Sequence, residues 1–202
     1  MIKIIDYKAG NAPSVMHAIK HMGYKAEFAR QAQDLNNATH IILPGVGSAK
    51  ATMDSLISMD MPAKLEEMVL NKKIPFLGIC VGMQILFEHS QEDNYKCLSW
   101  LKGHVEKYDT TKVRVPQMGW NLVRFTSQSP IKTQKDGHFY FVNSYHAKPE
   151  NKADIWALSD YNGGFVAGIR QGNVYGTQFH VEKSGEAGLS LLEGFLGLER
   201  EV

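Results

Sequence analysis

The sequence predicts an α/β fold: a mostly parallel central sheet flanked by helices, with an antiparallel extension. Two observations carry this. Over the first 90 residues, short apolar runs alternate with segments of helical spacing, the pattern of parallel strands joined by crossover helices. After about residue 100 the runs are short, closely spaced and punctuated by Gly, Asn and Asp, as antiparallel strands are. Length sets the scale: 202 residues, 44% hydrophobic and 21% charged, make one domain (1–202) with a sizeable core.

Each element follows in order. Ile2 to Asp6 (IKIID) is an apolar run closed by an acid and reads as a buried strand. A turn, KAGN, leads to SVMHAIKHMG, with Ser14 as N-cap after Pro13 and Gly23 as C-cap. Val15, Ala18, Ile19 and Met22 recur there at helical spacing. Strands are expected at 24–29 and 40–43, the latter running into PGVG. Helices are expected at roughly 48–59 and 62–72, then a buried strand at 74–79 and a helix over 81–89 (VGMQILFEH). Strand-like segments follow at 105–108, 122–125, 138–142, 155–158, 166–170 and 174–179, and a last helix covers about 185–198. There is no internal repeat, low-complexity tract or clear linker.

Several function classes are disfavoured. A net charge of +1 and no basic run of five or more give nucleic acid little to bind. No uninterrupted apolar stretch approaches the length of a membrane span, and MIKIIDYKAGN lacks the apolar core of a signal peptide. The two cysteines, Cys80 and Cys97, are too few for a disulfide scaffold and sit in no metal-binding spacing. No metal site is expected, and a reducing cytoplasm is the default compartment.

One motif asks for chemistry. Gly78-Ile79-Cys80-Val81-Gly82 places a cysteine between two glycines where a buried strand becomes a helix. In an open α/β sheet, ligands bind at the carboxyl ends of the parallel strands. G-x-C-x-G is the cysteine form of the nucleophile elbow, whose sharp turn pushes the side chain outward. The helix start adds unpaired N–H groups and a positive dipole end, which favour a thiolate and offer the Val81 N–H to an oxyanion. On these five residues alone, a structural cysteine in a βα turn fits equally well. Cys97, in NYKCLSW without a glycine frame, reads as structural.

A cysteine nucleophile needs a base, and the base an orienting acceptor. Of the eight histidines, His17, His21, His89 and His104 read as solvated. His180 ends the apolar run NVYGTQF, which puts it on the same sheet rim as Cys80. Glu182 follows two positions later, and on an extended segment both side chains would point the same way. A Cys-His-carboxylate triad is the resulting expectation.

At this point the chain resembles the class I (triad-type) glutamine amidotransferases, and more narrowly the glutaminase subunits of imidazole glycerol phosphate synthase. DYKAGN, LPGVG, PFLGICVGMQILFE, KVRVPQMGWN, FYFVNSY and GTQFHVEKSG fall in that family's order and spacing, nearly end to end. The resemblance implies that Cys80 attacks glutamine to form a glutamyl thioester, His180 moves protons and Glu182 orients His180. It implies an oxyanion strand at Pro44 to Gly47, where Gly45 and Gly47 let a peptide flip around Val46, with Val81 supplying a second N–H. It places Gln84 at a glutamine-binding position and the backbone of Asn143, Ser144 and Tyr145 at the substrate's amino-acid end. No cofactor is implied, because the thiol supplies the chemistry. A cyclase (HisF-like) subunit is implied as partner in a heterodimer, taking ammonia through a dry passage to make imidazole glycerol phosphate in histidine biosynthesis. Asn11, Met118, Trp120 and Lys183 match positions at or near that partner face. Read singly, Met118 and Trp120 fit a core and Lys183 a solvated surface.

Three departures bear on this. Val181 stands where the family has proline, which leaves φ freer and suggests looser triad geometry. Lys8 replaces a glycine or small residue. Asn143-Ser144-Tyr145-His146 and the following PENKADIWA look more like relatives that feed ammonia to a surface-polysaccharide sugar amidotransferase, an alternative acceptor.

Overall fold

The computed structural model describes residues 1–126, 131 and 133–199. The first half alternates strand and helix: β1 (Ile2–Ile5), α1 (Ala12–His21), β2 (Ala26–Ala29), β3 (His40–Gly45), α2 (Ala49–Ser58), α3 (Met61–Leu65), β4 (Phe76–Cys80) and α4 (Val81–Gln84). The second half is mostly strand: β5 (His89–Ser90), β6 (Tyr95–Lys96), β7 (Gly103–Lys107), β8 (Gln117–Phe125), β9 (Gly137–Asn143), β10 (Tyr145–Pro149), β11 (Ile155–Asp160), β12 (Gly164–Gln171) and β13 (Val174–Thr177), closed by α5 (Gly185–Leu196).

These strands form one mixed sheet. Its main path runs β2-β1-β3-β4-β13-β12-β10-β7-β5-β6, and β11, β8 and β9 branch from β12. β2, β1, β3, β4 and β13 are mutually parallel; β12 turns antiparallel against β13. The fold class is the one expected. β1 and β4 are buried at every residue, as strands covered on both faces must be. The register sets the rim: Gly45 faces Cys80, and Thr177 faces Ile79. The ends of β3, β4 and β13 therefore converge. Among the described residues no helix is long and apolar enough to cross a membrane.

Three local expectations change. α1 begins at Ala12, with Asn11 as its N-cap, and Ser14 lies inside the helix, its hydroxyl donating to Asn11 Oδ1 at 2.7 Å. Pro13 explains the earlier start, since proline suits the first turn; Gly23, at φ +84°, ends the helix as expected. The helix expected over 81–89 stops at Gln84. The carbonyls of Ile85, Leu86, Phe87 and Glu88 instead accept from backbone N–H groups of residues 97–101. Ile85, Leu86 and Phe87 are consecutive and all fully buried, a pattern no one-sided helix satisfies. β10 was not anticipated: the run FYFVNSYHAKP kinks at Ser144 and changes partner, from β8 to β7.

Candidate active site

The two glycines around Cys80 answer to packing. A Cβ on Gly82 would overlap the Leu43 carbonyl of β3, and one on Gly78 would overlap the Gly82 carbonyl. Only bare backbone lets β3, β4 and α4 nest this closely. Cys80 itself sits at φ +56°, ψ −110°, a conformation an L-residue keeps only when its surroundings impose it. The elbow is therefore present, and its side chain lines a cavity of about 270 Å³ with Val46, Gly47, Val81, Gln84, Asn143, Ser144, Tyr145, His180 and Lys183. When protonated, the thiol has the Val142 carbonyl as acceptor at 3.8 Å.

His180 follows β13 and is buried, its backbone N–H donating to the Tyr140 carbonyl at 2.9 Å. Its ring lies beside Cys80 on one side, near enough for the charge on each to favour the charge on the other. On the other, Nδ1 donates to Glu182 Oε1 at 2.8 Å. The pair forms because Val181–Lys183 is a single 3-10 turn, not through the extended backbone expected from the sequence. Val181, between them, is fully buried. Burial alone would lower the imidazole pKa, but Cys80 and Glu182 outweigh it and raise it to about 10. A cation beside a sulfur favours the nucleophilic thiolate.

Glu182 has a second partner. Asn11 Nδ2 donates to the same Oε1 at 2.6 Å, and the carboxylate side chain has no solvent exposure. Asn11, expected at a partner face, is thus tied to the Glu182 carboxylate. Glu182 Oε2 is buried without a partner.

Around Gln84 the cavity wall is a web of amides. Gln84 Nε2 donates to the Tyr145 carbonyl at 3.0 Å and to Gln178 Oε1 at 2.9 Å. With both hydrogens committed, its own oxygen is the atom left free to accept. Asn143 Nδ2 donates to the same Tyr145 carbonyl at 2.9 Å and to the Tyr108 hydroxyl at 3.2 Å. At the end of β3, Gly47 has φ +90°, while the Tyr7 hydroxyl lies 3.4 Å from Thr52 Oγ1 and close to the Val46 N–H. Tyr7, Tyr108 and Gln178 escaped the sequence reading. Only Gln178 left a signal, as a buried polar residue in the apolar run GTQF.

Met118 and Trp120 are 66% and 53% exposed, so their core reading fails. With Leu122 they line one face of β8, and the Trp120 ring packs edge-on against Tyr140 at 5.8 Å. Lys183 is exposed and, with Glu182, also lines a second cavity of about 540 Å³ beside α1. Cys97 is the contrast to Cys80: burial raises its thiol pKa to about 11.

Comparison with known proteins agrees. The family model "Glutamine amidotransferase class-I" matches residues 3–197. The imidazole glycerol phosphate synthase subunit HisH of Leptospira borgpetersenii is 37% identical over 98% of this chain and 100% of its own. The chloroplastic imidazole glycerol phosphate synthase hisHF of Arabidopsis thaliana is 40% identical over 97% of this chain, but only 34% of its own length. In the structure of PurLQS from Thermotoga maritima, one chain shares the fold with a TM-score of 0.78 at 16% identity, over 96% of both chains. An elbow cysteine, a buried histidine and carboxylate on the adjoining strand end, and a full-length family match lead to one conclusion: the chain belongs to the class-I glutamine amidotransferase family.

Proposed function

We propose that the chain hydrolyses glutamine to glutamate and ammonia, and delivers the ammonia to a cyclase (HisF-like) subunit that forms imidazole glycerol phosphate in histidine biosynthesis. The observation that carries the chemistry is the Cys80–His180–Glu182 array at the converging strand ends. The Cys80 thiolate attacks the carboxamide carbon, and the oxyanion takes the N–H of Val81. The His180 imidazolium gives its proton to the departing nitrogen, which leaves as ammonia. Neutral His180 then takes a proton from water as the hydroxide attacks the thioester; glutamate leaves and the thiolate–imidazolium pair returns. Removing one oxyanion donor typically costs about 3–4 kcal/mol of transition-state stabilisation.

The second oxyanion donor is the Val46 N–H. It lies close to the Tyr7 hydroxyl, and rotation of the Gly45–Val46 peptide is the step that completes the hole. Ammonia has a direction of exit: His180 lines the smaller cavity, Glu182 the larger, and Lys183 both. The partner assignment is supported by the HisH relatives and by the exposed Met118–Trp120 face, a size and type of anchor that interfaces favour. That hisHF extends well beyond its region of similarity fits a glutaminase working beside a second unit.

The test is ammonia release from glutamine, with and without the cyclase subunit of the same cell. Strong stimulation, abolished in Cys80→Ala although that variant still binds the cyclase, is the expected result. An active cyclase that gives no stimulation would redirect the acceptor to a surface-polysaccharide sugar amidotransferase. Equal turnover in Cys80→Ala would overturn the mechanism.

A further inference from the structure

We propose that Gln178 is a further catalytic residue: its side-chain N–H, held in place by Gln84, points at the Cys80 sulfur and favours its thiolate form. The proposal rests on the reading of Cys80 as nucleophile.

The direction of this hydrogen bond follows from the network around it. It starts at the Tyr145 backbone carbonyl, which can only accept. Gln84 must therefore present its NH₂ group there, and does so at 3.0 Å. The same nitrogen lies 2.9 Å from the Gln178 side chain, so Gln178 must answer with its oxygen. That leaves the Gln178 NH₂ group on the remaining side, where Nε2 sits 3.6 Å from Cys80 Sγ. Each amide is oriented by the one before it, and the chain ends on the reacting atom. Asn143 reinforces the origin by donating to the same carbonyl at 2.9 Å. Gln178 has no solvent exposure, and its backbone N–H is tied to the Ala167 carbonyl at 2.8 Å, so the side chain has little freedom to turn away. A buried amide in an apolar strand end is costly unless its hydrogen bonds are made; here one of them is made to a sulfur.

The position serves both halves of the reaction. Before attack, an N–H donor on the sulfur complements the His180 imidazolium on its other side. In the second half, when hydroxide displaces the thioester, the same N–H meets the charge that returns to sulfur as it leaves. Gln178 would thus act on the nucleophile and on the leaving group without moving.

The experiment is alkylation of Cys80 by iodoacetamide as a function of pH, in the full chain, resolved by peptide mass spectrometry. Cys97 is buried with its thiol pKa raised to about 11 and stays silent near neutrality. Gln178→Met removes the donor at similar volume. Gln178→Asn keeps a buried amide but is one methylene too short to reach Sγ, and serves should the first fail to fold. In either variant, alkylation at pH 6 should slow roughly tenfold, the worth of one hydrogen bond to a charged group, and recover toward the native rate at high pH. A native pH–rate profile in a folded variant overturns the role of Gln178, as does a loss seen only as a raised KM for glutamine with that profile unchanged. Because alkylation needs no glutamine, the two readings separate: an unreactive Cys80 in the native chain would sink the nucleophile assignment itself.

Discussion

Glu182→Gln removes a charge and keeps a shape. Glu182 Oε1 accepts from both His180 Nδ1, at 2.8 Å, and Asn11 Nδ2, at 2.6 Å. A glutamine oxygen can hold the same two donors, its NH₂ group taking the place where Oε2 now lacks a partner. What is lost is the attraction between carboxylate and imidazolium. At the 2.8 Å contact and an effective dielectric of about 20, that attraction is ~6 kcal/mol. The surviving hydrogen bond and the relief of burying a carboxylate offset about half. The remaining ~3 kcal/mol corresponds to roughly two pKa units. His180, held at about 10 in the native chain, would then titrate near pH ~8. The sign is definite. A histidine raised on folding contributes stability that is complete below its unfolded value of ~6.5. That contribution is lost as pH rises through about 10 in the native chain, and already through ~8 in the variant. Nitrogen NMR of the histidine rings, with His180→Asn to assign the signal, reads the shift directly. Glutaminase kcat should fall roughly fourfold at pH 8.5, where a group titrating near ~8 keeps about a quarter of its protons, and hardly at all at pH 6.5. An unmoved His180 titration, or a loss equal at all pH values, would refute the electrostatic argument.

Two further outcomes follow from the backbone around the elbow. Gly82→Ala drives a Cβ into the Leu43 carbonyl, a backbone atom that cannot swing aside; the expected loss exceeds ~3 kcal/mol, or roughly 6–12 °C in Tm, and native melting would show that β3 and α4 are not in such close contact. Tyr7→Phe deletes the hydroxyl that lies beside the Val46 N–H; if that hydroxyl holds the peptide at rest, glutaminase turnover without a partner should rise by up to about fivefold, the value of one neutral hydrogen bond, and unaltered turnover would mean that this peptide does not limit the resting chain.

The parallel half was legible because its strands are continuous apolar runs and its helices carry one-sided patterns. β1, β3 and β4 needed no knowledge of their neighbours. The elbow was legible for a different reason, since close backbone packing demands glycine and so leaves a local mark at Gly78 and Gly82. What stayed hidden depends on partners far along the chain. Ile85 to Glu88 looks helical until residues 97–101 supply the donors for its carbonyls. Asn11 gives no local hint that it reaches Glu182, 171 positions away. Tyr145–Pro149 reads as loop because only β7 matches it along its length, while β12 touches it at one residue pair. The His180–Glu182 pairing was foreseen for a mistaken reason. Two residues apart on a strand and two residues apart in a 3-10 turn can both meet, and the sequence alone does not separate them.

The order of the sheet has a consequence for how the chain comes into being. Among the described residues β13 is the last strand in sequence, yet it lies between β4 and β12 in the sheet. As the ribosome extends the chain, β4 waits with one backbone edge unpaired for nearly a hundred residues before its neighbour is made. Such a long-range pairing forms late, and an open edge is prone to capture by other chains. The same pairing brings His180 to Cys80. A chain in which β13 has not yet paired therefore carries Cys80 without His180 beside it.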